Sequence, residues 1–272
     1  YGVVVVTAAG NTGPGINTVA APADADSAIS VGAFVSPRMW EADFGYQVSQ
    51  DSLYYFSSVG PRRDGAWYPS IVAPGSAVST VPCWMENPYM LTEGTSMATP
   101  HVSGIVAHLL EAGDKLGIKT TPSFIKRVIE EGARDLPHFN VIEDGHGVLD
   151  GYGAYQKMKE IKEERKLTGT LFSPEYGTGS GVFAREYIPQ RLMFNIKNHG
   201  NRDYHLEWSS TAPWLKSELK STHILRGVNR EIPILFDLPY KPGLYSGVLI
   251  GDDKDVPGVE IEIPVNIIIG AE

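Results

Sequence analysis

Residues 94–103 read Gly94-Thr95-Ser96-Met97-Ala98-Thr99-Pro100-His101-Val102-Ser103 and continue as small and apolar residues up to Leu110. Gly94 and Thr95 favour a turn, and the small and apolar run after them predicts a buried helix with Pro100 in its first turn. Ser96 then lies at the amino end of that helix, where unpaired N–H groups and the helix dipole favour a developing negative charge. A lone serine before a helix is usually a cap, but this setting also makes Ser96 a candidate nucleophile.

A second motif lies near the start of the sequence, at Gly2-Val3-Val4-Val5-Val6-Thr7-Ala8-Ala9-Gly10-Asn11. Its four consecutive valines predict a strand of a parallel sheet that is covered on both faces. The strand leads into a glycine turn. Taken alone, Asn11 would be an ordinary turn residue.

Residues 94–102 closely resemble the active-site serine motif of the subtilisin-like serine proteases, the subtilases. In that family an Ala-Ala-Gly-Asn stretch after such a strand supplies the oxyanion-hole asparagine, and Asn11 stands at that position here. Residues 55–61, 71–75 and 145–155 are also similar to family segments, so the resemblance covers about residues 1 to 165. It implies that Ser96 is the nucleophile and Asn11 the oxyanion donor. The substrate-binding residues that it implies are Ala8, Ala9, Gly10, Gly94 and Thr95.

The aspartate and histidine of a subtilase triad come from segments upstream of the asparagine motif, and neither segment is in this sequence. We therefore expect the chain to be the C-terminal part of a larger protease, inactive alone. Its expected partner is the N-terminal part of the same protease, which carries the Asp and His and would cover the valine strand. His101 lies more than one helical turn from Ser96. We expect His101 and His108 to be packing residues of the helix, with the base supplied from upstream.

Several further elements are predicted in this part of the chain. Residues 28–33 predict another strand, whereas 35–53 and 83–91 predict surface loops. Thr121 as N-cap, with proline at the first helical position, predicts a helix over 121–133. The apolar face of that helix comprises Phe124, Ile125, Val128 and Ile129.

The pattern changes near Lys166, after a charged helix predicted over 154–166. Beyond it helical periodicity disappears and short alternating runs predict strands. These runs are 192–196, 204–208, 232–236, 247–250 and 259–263. The predicted fold class is an α/β subtilisin-like parallel sheet, C-terminal part only, over residues 1–166, with an antiparallel β-sandwich domain after it over 167–272. The second domain resembles the C-terminal β-domains of large subtilases of the pyrolysin and tripeptidyl-peptidase II groups. We expect the second domain to serve stability or spacing.

Composition limits the partners. The net charge is −9 and there is no basic cluster, which argues against nucleic acid. No stretch approaches the roughly 18 apolar residues of a membrane span. The single cysteine, Cys83, excludes an internal disulfide.

No metal site is predicted and no cofactor is required. Five histidines show no spacing with cysteines or acids that is typical of zinc sites. They are His138, His146, His199, His205 and His223. Asp144 and the acidic turn at residues 252–255 are weak candidates for structural calcium in the intact enzyme, since acidic turns are more often simply solvated.

The sequence thus predicts a serine endopeptidase that cleaves a protein or peptide substrate through an acyl-enzyme on Ser96. Two alternatives stay open. One is an exopeptidase of the tripeptidyl-peptidase or sedolisin type, although Met97, Pro100 and His101 fit the subtilisin pattern better than the sedolisin one. The other is a non-catalytic binding or assembly module with a vestigial serine. The resemblance implies an extracellular or cell-envelope location, and a cytosolic one for a tripeptidyl-peptidase relative.

Overall fold

The computed structural model describes residues 2–173, 177–185, 190–239 and 241–270. This part of the chain divides into two compact units. The first comprises residues up to 60 together with 68–158, and the second comprises 61–67 together with the residues from 159 onward. The division therefore falls inside a helix, eight residues before the predicted boundary at 166/167, and a short segment of the first predicted domain lies in the second unit.

The first unit is built on a sheet whose central strand, β2, is buried along its whole length. Strands β1 and β4 pair with β2 in parallel, and the short β3 pairs with its end in the antiparallel sense. The strands are β1 (Val5–Ala8), β2 (Ala28–Val35), β3 (Ser52–Leu53) and β4 (Ile71–Pro74). The predicted parallel sheet is confirmed, with the Asn11 turn leaving the carboxyl end of β1.

Strand β1 is not covered on both faces as predicted. Val3 and Val5 are 67% and 51% exposed. Strand β1 lies at the edge of its sheet and α2 is the helix that packs against it, so the side chains of Val5 and of the preceding Val3 have no further cover among the described elements. The valine run therefore includes apolar side chains that nothing in the described chain covers.

The helices of this unit are α1 (Pro37–Phe44), α2 (Thr95–Leu116), α3 (Pro122–Glu131), α4 (Val141–Asp144) and α5 (Gly151–Ile161). Helix α3 confirms its prediction, since the Thr121 hydroxyl accepts a hydrogen bond from the Phe124 N–H at 3.2 Å and all four residues of its apolar face are buried. The predicted loop over 35–53 contains α1 and β3. The predicted loop over 83–91 is irregular up to residue 88 and then enters β6 (Tyr89–Glu93), which pairs with β5 (Ser76–Thr80) as a hairpin. The predicted charged helix ends at Ile161, five residues early.

Helix α2 carries Ser96 and contacts β1, β2 and β4. It buries one face, through Ala98, Val102, Val106 and Leu109 among others. His101 and His108 are exposed on its other side, so their predicted packing role is wrong for the described chain. Pro100 lies in the second turn of α2 and not in its first, because the helix begins at Thr95.

The second unit holds two five-stranded sheets. One has the order β12-β14-β10-β7-β8 and the other β13-β11-β15-β16-β9. The strands are β7 (Leu167–Ser173), β8 (Gly177–Gly179), β9 (Val182–Ala184), β10 (Arg191–Asn198), β11 (Tyr204–Ser210), β12 (Leu215–Ser217), β13 (Ser221–Ile224), β14 (Asn229–Phe236), β15 (Gly243–Asp252) and β16 (Ile261–Ile269). All pairings are antiparallel except β9 with β16, which is parallel and corrects the wholly antiparallel prediction.

A single hydrophobic cluster draws on both sheets of the second unit. Phe194 and Ile234 come from one sheet, and Leu206 and Ile263 from the other. Alternation of buried and exposed residues along β11 and β13 sends every second side chain into this core. None of the helices described in either unit is long and apolar enough to cross a membrane.

Candidate active site

Ser96 is the second residue of α2 and its side chain is exposed. Gly94, the cap residue, has φ 154°, a backbone conformation that favours glycine. The N–H of Met97 bonds back to the Gly94 carbonyl at 3.0 Å, and the N–H of Thr95 is taken by Asn11. The N–H of Ser96 itself has no acceptor among the described residues.

Asn11 is held beside Ser96 by Thr95. The Thr95 N–H and hydroxyl both donate to Asn11 Oδ1, at 3.0 and 2.9 Å. A backbone N–H can only donate, so the amide atom that faces Thr95 must be the oxygen. Asn11 Nδ2 is thereby turned away from Thr95, towards Gly94, where an added Cβ would lie 3.4 Å from it.

Two hydrogen-bond donors with no partner inside the described chain thus accompany the Ser96 hydroxyl: Asn11 Nδ2 and the Ser96 N–H. Both belong to residues that are fixed, one by Thr95 and the other by the first turn of α2. Fixed donors aimed at a point where negative charge develops are the physical requirement for stabilising a tetrahedral oxyanion. The dipole of a 22-residue helix adds positive potential at the same end.

The turn that carries Asn11 is held by the serine segment at residues 55–61. The Ser58 N–H donates to the Gly10 carbonyl at 2.9 Å, and the Ser58 hydroxyl lies 3.0 Å from that of Thr12. Gly10 has φ 112°, and an added Cβ would come within 2.8 Å of Ser58 Oγ. Gly10 also donates its N–H to the Thr95 hydroxyl at 3.2 Å, so glycine is required there for both conformation and space.

The residues expected to bind substrate fall into two groups. Ala8 and Gly10 are partly exposed, and Gly10 flanks the Asn11 turn. Ala9 is fully buried, and its backbone bonds to the Val31 carbonyl and the Tyr68 hydroxyl. Thr95 and Gly94 are buried as well. Thr95 and Ala9 therefore support the site from behind, and their side chains offer no surface to a substrate.

A general base for Ser96 is missing from the described residues. His101, the nearest histidine in sequence, bonds through Nδ1 to the Met97 carbonyl at 2.9 Å on its own helix. No hydrogen bond joins an imidazole to the Ser96 hydroxyl anywhere in the described chain. The site therefore holds an exposed serine hydroxyl and two hydrogen-bond donors without a described partner, and no described imidazole is bonded to that hydroxyl.

Metal ligands are sparse in the part of the chain that the structure describes: no group of three or more His, Cys, Asp or Glu side chains could hold an ion. In the acidic turn, Asp253 is buried and accepts from the N–H groups of His205 and Asp255, at 2.8 and 3.1 Å. Asp252 pairs with Lys254. The carboxylates of Asp252 and Asp253 therefore both have partners within the protein.

A parallel sheet, a helix with an exposed serine at its amino end and an asparagine bonded to the residue before that serine are features of the α/β serine hydrolases. The subtilase family, peptidase S8, matches residues 1–179. The chain belongs to this family.

Similar proteins extend the likeness beyond the catalytic unit. Pyrolysin of Pyrococcus furiosus is 35% identical over 309 residues, covering 99% of this chain and 22% of pyrolysin. Tripeptidyl-peptidase 2 of Drosophila melanogaster is 31% identical over 291 residues, covering 98% of this chain and 20% of that protein. The crystal structure of tripeptidyl peptidase 2 matches with a TM-score of 0.74 at 28% identity, over 98% of this chain and 22% of that one. The chain spans about a fifth of the length of these relatives.

Proposed function

We propose that the protein to which this chain belongs is a serine endopeptidase whose nucleophile is Ser96. The observation that carries the proposal is the pair of fixed donors, Asn11 Nδ2 and the Ser96 N–H, beside an exposed serine hydroxyl at a helix amino end. The 35% sequence identity to pyrolysin, over 99% of this chain, supports the proposal.

In the proposed reaction, the Ser96 hydroxyl attacks a peptide carbonyl while a histidine from outside the chain takes its proton. The two donors bind the oxygen of the tetrahedral intermediate, and collapse expels the amine with the proton that the histidine returns. Water then hydrolyses the acyl-enzyme by the same route. Thr95 acts through Asn11 as a positioning residue.

The base and its aspartate would come from the N-terminal part of the same protease. Two features support this partner: no described residue serves as a base for Ser96, and the apolar side chains of β1 and α2 leave an open groove. The groove has a volume of about 520 Å³ and is lined mainly by valines of β1 and by Val106, Ala107 and Leu110 of α2. The 272-residue chain alone is then expected to lack practical protease activity.

A fluorophosphonate serine probe tests the proposal. The 272-residue chain is compared with a longer polypeptide that includes the upstream part, and adducts are mapped by mass spectrometry. We expect labelling of Ser96 in the longer polypeptide only, and loss of that labelling in its Ser96→Ala variant. No labelling of the folded longer polypeptide would contradict the proposal and favour a non-catalytic binding or assembly module.

A second candidate function is an exopeptidase that removes tripeptides, favoured by the TM-score of 0.74 with tripeptidyl peptidase 2. Both candidates use the same acyl-transfer chemistry, so labelling of Ser96 does not distinguish them. Cleavage of one peptide with a free and with an acetylated N-terminus does. An endopeptidase accepts both forms, whereas a tripeptidyl peptidase needs the free amine.

For the second unit we propose a β-sandwich that serves stability or spacing rather than catalysis. The hydrophobic cluster shared by its two sheets supports this architecture. The proposed enzyme needs no cofactor, and structural calcium would be confined to the intact protein. An extracellular or cell-envelope location agrees with a pyrolysin-like protease, and a cytosolic one with a tripeptidyl peptidase. Fractionation of the native protein would distinguish these locations.

A further inference from the structure

Two histidines that are 18 residues apart in sequence lie directly opposite each other on neighbouring strands of the second unit. His205 in β11 is the register partner of His223 in β13. Their ring centroids are 4.1 Å apart and the rings are inclined at 81°. Both side chains are exposed, so solvent reaches the space around the pair.

The backbone beneath the pair is fixed. The residues that flank the two histidines along their strands, Tyr204, Leu206, Thr222 and Ile224, are buried. In addition, the His205 N–H donates to the carboxylate of buried Asp253 at 2.8 Å. The imidazoles are therefore carried on a rigid sheet surface, and only their χ1 and χ2 torsions are free.

The charge around the pair favours a cation. Glu207 lies two residues from His205 on the same face of β11, and its register partner on β15 is Asp252. Lys254 pairs with Asp252 and neutralises one of these two carboxylates. Among the described residues Lys254 forms its ion pair with Asp252 and not with Glu207, so the Glu207 carboxylate stays available beside His205.

We propose that His205 and His223 together bind a divalent transition-metal ion, Cu²⁺ or Zn²⁺, as a two-imidazole chelate completed by water. Neutral imidazole is a preferred ligand of both ions, with metal–nitrogen distances of about 2.0–2.1 Å. Two such bonds require ring nitrogens about 3 Å apart, which opposed imidazoles with centroids 4.1 Å apart reach after rotation of one ring about its soft χ2 torsion. Cu²⁺ binds more tightly than Zn²⁺ by the general order of divalent metal affinities.

The bound ion would cross-link β11 and β13 at an edge of the sheet. Strand β13 lies at the end of its sheet and pairs only with β11 among the described strands. A metal held by one histidine from each strand adds a cross-link at this edge. Because the ion binds the folded arrangement and not two distant histidines of the unfolded chain, it raises the stability of the fold.

The test titrates the 272-residue chain with CuCl₂ and with ZnCl₂ by calorimetry, next to His205→Gln and His223→Gln. His199→Gln is the matched control, since His199 belongs to the same unit and bonds to the Thr168 hydroxyl at 2.8 Å. We expect one Cu²⁺ site whose affinity falls at least tenfold in each of the first two variants and is unchanged in the control. Electron paramagnetic resonance of the Cu²⁺ complex is expected to show coupling to nitrogen, and the ion is expected to raise the thermal unfolding temperature.

The variants exchange exposed side chains, so their metal-free unfolding temperatures check that they fold. Equal Cu²⁺ affinity in all four proteins would overturn the proposal, because it would place any bound ion elsewhere. Binding with only carboxylate oxygens around the copper would also overturn it, as would a site lost in His205→Gln but intact in His223→Gln.

Discussion

Thr95 determines the orientation of the Asn11 amide, although its own side chain has no access to a substrate. Its N–H and hydroxyl together fix Asn11 Oδ1, and the same hydroxyl accepts from Gly10. Removing the hydroxyl leaves a single donor to hold the amide. In the proposed mechanism, Asn11 Nδ2 then samples directions in which it no longer meets the oxyanion.

In the protease with its upstream part, Thr95→Val is expected to lower kcat about fivefold with little change in KM, since one neutral hydrogen bond contributes about 1 kcal/mol. Asn11→Ala removes the donor itself and should cost about 10²–10³ in kcat, a magnitude established on a subtilisin. Thr95→Ser keeps the hydroxyl and should restore the rate. Steady-state kinetics on a peptide substrate measure all three.

Thr99→Val is the matched control for Thr95, because its hydroxyl donates only to the helix, at the Thr95 carbonyl. It should leave kcat within about twofold, as a surface change of small energy does. A raised KM with normal kcat in Thr95→Val would contradict the positioning role. It would mean that Thr95 contributes to substrate binding in the ground state.

Asp144, at the end of α4, is a buried acid in the catalytic unit. Burial raises its pKa to about 7, and the charges of Asp135 and Glu143 act in the same direction, while a hydrogen bond to its own backbone and the charge of His146 partly offset them. Between about pH 4 and pH 7 the folded chain therefore holds a proton that the unfolded chain has lost. Stability falls as pH rises through this window, by up to about 4 kcal/mol.

Asp144→Asn removes this titration. Relative to the unchanged chain, the variant should gain up to about 4 kcal/mol of stability between pH 4 and pH 8. Urea unfolding at a series of pH values gives the difference directly. Asp114→Asn, which removes an exposed carboxylate of α2, is the control for the loss of one carboxylate from the surface. A parallel pH dependence in Asp144→Asn and the unchanged chain would show that Asp144 is ionised in the fold.

At the scale of elements, the apolar groove between β1 and α2 is where we expect the upstream part of the protease to pack, so a change there should affect both stability and activity. Leu110 lines it and is 37% exposed in the described chain. If the upstream part of the protease covers this groove, a charge at Leu110 is harmless in the short chain and costly in the long one. Unpaired burial of a charge is among the largest single-residue penalties.

Leu110→Lys is expected to change the free energy of unfolding of the 272-residue chain by less than about 0.5 kcal/mol. In the longer polypeptide it should cost at least about 2 kcal/mol and reduce fluorophosphonate labelling of Ser96. Leu116→Lys is the matched control: Leu116 lies on the same helix, is 44% exposed and does not line the groove. Equal behaviour of the two variants in the longer polypeptide would rule out coverage of the groove.

The elements that sequence could predict are those whose signals are local. Helix α3 has a cap and an apolar period in consecutive residues, and the four valines at residues 3–6 predict the strand that includes β1. The prediction that His101 and His108 pack inside the protein was wrong for the described chain. An apolar sequence indicates which residues could be buried, but it does not indicate which other part of the protein covers them. The supporting role of Thr95 and the contact of His205 with His223 depend on pairings across 84 and 18 residues, which no local pattern encodes.

At the scale of the whole chain, the two units are not two successive stretches of the sequence. The segment 61–67 leaves the first unit, belongs to the second and returns, so the chain passes between units three times. Close backbone approach explains its placement: Gly65 has φ 76°, and a Cβ there would lie 2.3 Å from the Gly181 carbonyl carbon. The Gly181 N–H also reaches the Asp64 carbonyl at 3.4 Å. A cut at 166/167 would separate 61–67 from these partners.

Gly65→Ala should therefore destabilise the chain by about 3 kcal/mol or more, since it combines a left-handed backbone with a clash against main chain that cannot move aside. Gly45→Ala isolates the conformational part, because Gly45 has φ 71° and nothing within 4 Å of an added Cβ. It should cost only about 1–2 kcal/mol, which is the effect of the conformation alone. Thermal and urea unfolding of both variants give the comparison. Equal losses would mean that Gly65 is required for its backbone angle and not for its approach to Gly181.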